Sequence, residues 1–419
     1  MSLKKPSRHR LVAAPLLAIL FALSACVRAP VLSPPRAYSP LILISIDGYR
    51  ADYINRGLSP NLSALAADGV HAKAMKPAFP TLTFPNHYSI VTGLYPDHHG
   101  IVNNRFLDPK TGAKFVYNDR ATTDAPHWWG GEPLWVNVER QGKHAATMFW
   151  PGSDVDIDGV RPEHWLPFDG KMTPDARVDQ ALRWLDLPAG QRPDFLTLYF
   201  EQVDHAGHGH GPDSPQVNAA LREIDAALGR LLDGLKQRGT FASANIVIVS
   251  DHGMTATSED RLVVLDKLVD MRDVSVVTAG VVAGLAPKPG HEREVDRALL
   301  APHEHMRCWN KSRMPARLHY GSNARIPPIV CVADDGWLIE TQSYLDRPNH
   351  HISKGEHGYD NDDPAMRALF VAEGPAFERG DVAPEFDNVD VYPLLAKILH
   401  IRPAPNDGNL APVAAMLTR

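Results

Sequence analysis

Residues 41–46, 195–200 and 246–249 are short runs of almost unbroken apolar or aromatic character. Runs of this length, without polar alternation, read as strands buried on both faces. Residues 145–150 and 368–371 show a weaker version of the same pattern. Between them lie stretches with helical patterning, residues 217–234 being the longest. Strand and helix in alternation predict an α/β fold: a mostly parallel central sheet flanked by helices on both faces. Residues 255–350 are rich in Pro, His and Arg, and the alternation fades there. They predict a smaller cap-like subdomain inserted before the last strands.

The N-terminal pattern is of another kind. Lys4, Lys5, Arg8 and Arg10 precede an apolar run over residues 11–23, then Leu23-Ser24-Ala25-Cys26. A basic start, a short apolar stretch and small residues mark a signal peptide, here residues 1–25. The last four residues of that series resemble a bacterial lipobox, whose cysteine is lipidated and becomes the first mature residue. An ordinary signal peptide cut after Ala25 is the alternative. Residues 26–39 then read as lipid anchor and Pro-rich tether, and residues 40–419 as the folded part. The expected location is the periplasm or an outer-membrane anchor. In that oxidising setting Cys308 and Cys331 are candidates for a disulfide, with two separately buried thiols as the alternative.

Composition narrows the picture only a little. The chain has 419 residues, 44% hydrophobic and 22% charged, as ordinary globular proteins do. Its formal charge is −6, and the leader carries cations but no acid, so the mature part is more acidic still. An acidic surface is poorly suited to gripping a nucleic-acid polymer. A small phosphorylated substrate held by local metal charge is not excluded.

The candidate chemistry sits where the strongest strands end. The first runs into Asp47-Gly48, the second leads to Asp204-His205-Ala206-Gly207-His208, and the third leads to Asp251-His252-Gly253. Ligands bind outside the carboxyl ends of strands in open α/β sheets. Asp204 and His208, spaced i, i+4, face one way on a helical turn. Carboxylates and imidazoles brought together in this way suit zinc and similar metals. A second candidate is Thr83, in Thr83-Phe84-Pro85-Asn86-His87-Tyr88, ahead of a helical stretch closed by Gly93. A hydroxyl at a helix N-terminus lies among free N–H groups that favour an alkoxide and a phosphoryl oxygen.

These segments, with Asp47-Gly48-Tyr49-Arg50, Gly100-Ile101-Val102-Asn103-Asn104 and Gly355-Glu356-His357-Gly358, occur in an order that resembles the nucleotide pyrophosphatase/phosphodiesterase family of the alkaline phosphatase superfamily. The resemblance covers about residues 40–400 and is closest to compact members with a catalytic domain alone. It implies two zinc ions. Asp47, Thr83, Asp251 and His252 would hold one, and Asp204, His208 and His357 the other. It also implies that Thr83 attacks phosphorus to give a phosphothreonine-type ester, while Asn104 and the Thr83 backbone N–H hold a non-bridging oxygen. In the nucleotide-cleaving relatives, aromatics corresponding to Phe84 and Tyr199 sandwich the base. The implied reaction is hydrolysis of nucleotide phosphodiesters and pyrophosphates to nucleoside 5′-monophosphates. A phosphomonoesterase or phosphonate hydrolase of the same superfamily is the nearest alternative, with Arg50 or Arg105 facing the extra phosphate charge. A non-catalytic metal-binding lipoprotein is a third.

Overall fold

The computed structural model describes residues 1–4 and 38–418. The expected signal peptide beyond residue 4, Cys26 and the expected tether up to residue 37 lie outside the described residues. Among those described, no helix is long and apolar enough to cross a membrane.

In chain order, strands β1 (Leu41–Ile46), β2 (Val70–Ala72), β3 (Ala145–Met148), β4 (His164–Leu166), β5 (Phe195–Phe200) and β6 (Asn245–Val249) come first. Strands β7 (Val274–Thr278), β8 (Val282–Pro287), β9 (Met306–Asn310) and β10 (Ile329–Ala333) follow, then β11 (Phe370–Glu373) and β12 (Asp381–Ala383). The main helices are α1 (Pro60–Asp68), α2 (Thr83–Thr92), α3 (Pro174–Leu185), α4 (Gln202–His210), α5 (Pro215–Gln237) and α6 (Val391–Leu399). The central sheet has the order β12-β2-β11-β6-β1-β5-β3-β4.

β1 occupies the middle, and all six of its residues are buried. Its even positions, Ile42, Ile44 and Ile46, pack with Leu182 of α3 and Leu221 and Leu228 of α5. Leu41 and Leu43 pack with Val91 of α2 and Leu395 of α6 on the opposite face. Burying a large aliphatic side chain stabilises by about 1.5–3 kcal/mol, so a strand covered on both faces tolerates no polar alternation. The longest helix, α5, starts where its sequence says it should. Ser214 accepts a hydrogen bond from the Val217 N–H, and Pro215 occupies the first turn.

The sheet is parallel from β6 through β1, β5, β3 and β4. β11 differs, running antiparallel to both β6 and β2. Its direction follows from its approach. Gly253 and Met254, just beyond β6, donate backbone hydrogen bonds to Met366 and Ala365, just before β11. The chain therefore enters β11 at the C-terminal end of β6 and can only run back along it.

Within residues 255–350 the strands form their own antiparallel sheet, in the order β7-β8-β10-β9. Its buried residues, such as Leu285, Ile329 and Val330, belong to the same apolar cluster as Leu41 and Leu43. Cys308 and Cys331 are directly opposed on β9 and β10 and form a disulfide.

Candidate functional site

Because β1, β5 and β6 are adjacent and parallel, their carboxyl ends open on one edge. Asp47 follows β1, Asp204 lies in the first turn of α4 after β5, and Asp251 and His252 follow β6. The turn after β1 needs glycine. Gly48 has φ +69°, and a Cβ there would lie 2.9 Å from the Asp204 Cα. α2 delivers Thr83 as its first residue, with Leu82 as the capping position. His357 arrives from the segment after the second sheet, its Nδ1 2.8 Å from the Thr81 carbonyl.

Two clusters of candidate ligands result, and they contain all seven residues expected to hold metal. In the first, His252 Nε2 lies 3.3 Å from Thr83 Oγ1, 3.4 Å from Asp47 Oδ1 and 2.9 Å from Asp251 Oδ2. In the second, His208 Nε2 lies 3.2 Å from His357 Nε2, and Asp204 Oδ1 is 3.4 and 3.5 Å from these two nitrogens. The groups adjoin through the His252 and His357 rings, stacked at 3.4 Å between centroids.

The hydrogen-bond pattern shows what these atoms lack. Each imidazole directs Nδ1 at a backbone carbonyl: His252 at Gly253, His208 at Gly355 and His357 at Thr81. That assigns the proton to Nδ1 and leaves the Nε2 lone pairs facing one another and the carboxylates. Asp47 Oδ1, Asp204 Oδ1 and Asp251 Oδ2 are buried and have no hydrogen-bond partner among the described residues. Buried unpaired acceptors are costly, and a converging set of them fits divalent cations. Burial, then the charges of Asp251 and Asp204, push the Asp47 carboxyl well above its usual range. Burial would lower His208, yet Asp204 and Glu356 outweigh it and raise it to about 10. Both shifts mark a site short of positive charge.

Around this centre the other expected residues take distinct places. Asn104 accepts the Phe84 backbone N–H at 2.9 Å through Oδ1, which leaves its NH2 as the available donor beside Thr83. Phe84 is half-buried, with Phe115, Tyr117 and Trp129 around it. Tyr199 does reach the site, but in a different role from base stacking. It is 8% exposed, with its ring edge-on to His87 and its hydroxyl donating to Asp47 Oδ2 at 2.6 Å. A ring this buried offers little surface for a base. The exposed aromatic on that side is Phe168, 49% exposed and 6.3 Å from the Tyr199 ring.

Sequence reasoning also passed over His87 as a working residue. It is buried, with Nδ1 2.9 Å from the Thr83 carbonyl and 3.3 Å from Asp251 Oδ2, and Nε2 2.7 Å from Ser45 Oγ. It thus lies between the backbone of the expected nucleophile and a candidate metal-binding carboxylate. A signal for both missed roles existed. Ser45 and Tyr199 are polar-tipped residues paired in register near the ends of β1 and β5.

A family model described as type I phosphodiesterase/nucleotide pyrophosphatase matches residues 41–360. The chain is 40% identical over 382 residues to an uncharacterized pyrophosphatase/phosphodiesterase of Schizosaccharomyces pombe, covering 88% of this chain and 79% of that protein. It is 39% identical over 382 residues to human ectonucleotide pyrophosphatase/phosphodiesterase family member 1, but spans only 41% of that protein's length. Murine ectonucleotide pyrophosphatase/phosphodiesterase 5, solved as an inactive threonine-to-alanine variant in complex with AMP, is similar in structure. Its TM-score is 0.86 at 32% identity, covering 91% of this chain and 100% of that one. The chain belongs to the type I phosphodiesterase/nucleotide pyrophosphatase family, enzymes that hydrolyse phosphodiester bonds.

Proposed function

We propose that this chain hydrolyses nucleotide phosphodiesters and pyrophosphates to nucleoside 5′-monophosphates, with Thr83 as nucleophile and two zinc ions as cofactors. The observation that carries this reading is the convergence of three orphaned carboxylate oxygens and three imidazole Nε2 atoms beside the Thr83 hydroxyl. Mixed Asp and His donors suit zinc. When bound, the two cations supply the charge that acidifies the Thr83 hydroxyl and stabilises the entering and leaving oxygens.

Thr83 Oγ forms a bond to phosphorus as the leaving oxygen departs with its electron pair, giving a phosphothreonine-type ester. Water then attacks the same phosphorus from the opposite side, and the Thr83 oxygen leaves and regains its proton. The Asn104 NH2, oriented by the Phe84 N–H on its oxygen, donates to a non-bridging oxygen. A donor of this kind is worth about 3 kcal/mol in other enzymes. Stacking of the base falls to Phe84 and the exposed Phe168, and such stacking accepts any base.

The monoester alternative has less support. Arg50 is turned away, its Nε and Nη2 bound to Asp52 and its Nη1 directed at the Met254 carbonyl. Arg105 lies over the Tyr117 ring with Nη2 directed at Asn118. The disulfide suits an exported protein, and we extend the proposal to a lipoprotein anchored through Cys26 in the periplasm or at the outer membrane.

The test is turnover of p-nitrophenyl thymidine 5′-monophosphate against p-nitrophenyl phosphate by zinc-loaded protein and by Thr83→Ala. The nucleotide ester should be strongly preferred, and the variant should keep its metal and lose turnover. Preference for the plain monoester, or full activity in the variant, would refute the proposal.

A further inference from the structure

Among the described residues, Arg177 is the only buried arginine or lysine, and it is fully buried. Its forked guanidinium pairs with both oxygens of Glu201, itself buried just past the end of β5. A desolvated ion pair is weak evidence for stability and calls for another reason to be there.

The remaining contacts of Arg177 point to one. Its Nε donates to the Met172 carbonyl at 3.0 Å, and its guanidinium carbon sits 4.9 Å from the centre of the Phe149 ring. Phe149 and Met172 are near the two ends of the segment that carries Phe168. The earlier part of that segment is anchored in the core through Trp150, Val155 and Ile157, but Phe168 itself lies just past β4, the edge strand, which pairs only with β3 among the described residues. Phe149 has φ +64°, a left-handed conformation that a bulky residue holds only when its surroundings impose it. The Phe168 ring packs edge-on against Phe149 at 5.4 Å and against Tyr199 at 6.3 Å. One guanidinium therefore touches both ends of the segment, and at the Phe149 end the contact is with the ring on which Phe168 leans.

The Nη1 of Arg177 also donates to the Tyr199 carbonyl at 2.8 Å. The Tyr199 backbone is held as well by its pairing with Ser45 on β1, and its hydroxyl bonds to Asp47.

We propose that the buried Arg177–Glu201 pair is a specificity device: it holds Phe168 upright as a wall for the nucleobase and acts on base recognition, not on phosphoryl transfer. The proposal rests on the reading of a nucleotide as substrate. Arg177 and Glu201 are positioning residues, acting through Phe149 and the 149–172 segment.

The test uses the folded, zinc-loaded protein and two diesters, p-nitrophenyl thymidine 5′-monophosphate and the base-free methyl p-nitrophenyl phosphate. The variant Arg177→Met/Glu201→Met removes both charges, so neither is left buried alone. It should raise KM for the nucleotide ester about tenfold, a stacking-sized loss, with kcat within about twofold. Turnover of the methyl ester should be unchanged. Phe168→Ala should give the same split, and adding it to the paired variant should cost nothing further. Should the paired variant fail to fold, Arg177→Lys carries the test. Lysine keeps a charge for Glu201 but loses the fork, so the nucleotide KM should rise partway. Equal losses on both esters, an unchanged nucleotide KM, or additive losses with Phe168→Ala would overturn the proposal. A wild-type enzyme indifferent between the two esters would instead overturn the nucleotide reading beneath it.

Discussion

Replacing Tyr199 by phenylalanine removes one oxygen atom and keeps the ring against His87 and Phe168. That oxygen donates at 2.6 Å to Asp47 Oδ2, while Asp47 Oδ1 has no hydrogen-bond partner. The variant therefore leaves a buried carboxylate with no side-chain donor. A hydrogen bond to a charged group contributes about 1.5–3 kcal/mol. Loss of an outer partner of a metal ligand costs about 10- to 100-fold in affinity or activity, which is the same range. Tyr199→Phe should weaken metal retention by that factor, measured by competition with a chelator. It should lower kcat at limiting zinc and restore it at saturating zinc. KM for p-nitrophenyl thymidine 5′-monophosphate should stay within about twofold, since the ring does not contact the base. An unchanged metal affinity with a raised nucleotide KM would refute the argument and return Tyr199 to base stacking.

Other expectations rest on the same structure. Chelation should abolish turnover and lower the thermal midpoint, because Asp47, Asp204 and Asp251 would again face one another unpaired; restoring zinc should reverse both, and calorimetry reads the shift. His99 is fully buried, and burial lowers it to about 3. The unfolded chain takes up that proton below about pH 6.5 and the folded chain does not, so stability is lost as pH falls through this window, by about 1.4 kcal/mol per unit. His99→Gln should flatten the slope in urea titrations between about pH 7.5 and 5, and an identical slope would exclude His99 as a source. Cys308→Ser/Cys331→Ser opens a loop with a sequence separation of 23. It should lower the unfolding free energy by about 3 kcal/mol in the chain-entropy model, while activity at low temperature persists.

The parts of the fold that bury two faces were legible from the sequence. β1, β5 and β6 are continuous apolar runs, and nothing else accommodates them. That Asp47, Asp204, Asp251 and His252 gather was legible for a related reason: adjacent parallel strands end on one edge, so the residues just beyond them meet there. The strand expected at residues 368–371 was found at Phe370–Glu373 and is antiparallel. Its direction depends on backbone bonds between residues 253–254 and 365–366, which no local pattern encodes. β2 and β12 are three residues each and too short for a periodic signal. Phe168 lies just past an edge strand in irregular backbone, where an exposed aromatic reads like any other. Tyr199 was expected to stack on a base, yet its hydroxyl bonds to Asp47, which is 152 residues away. Strand position alone does not say whether a tyrosine offers its face to a ligand or its hydroxyl to a carboxylate. Arg177 shows the same limit. It sits in an amphipathic helix, and only the fold reveals that it is buried against Glu201.

The central claim is that Thr83 is phosphorylated and released in two successive in-line displacements. Hydrolysis of a nucleotide phosphorothioate diester of known configuration, in isotopically labelled water, tests this directly. Two inversions give net retention at phosphorus, which is the result expected of a Thr83 ester. Net inversion would mean that water attacks in a single step and that Thr83 is only a metal ligand.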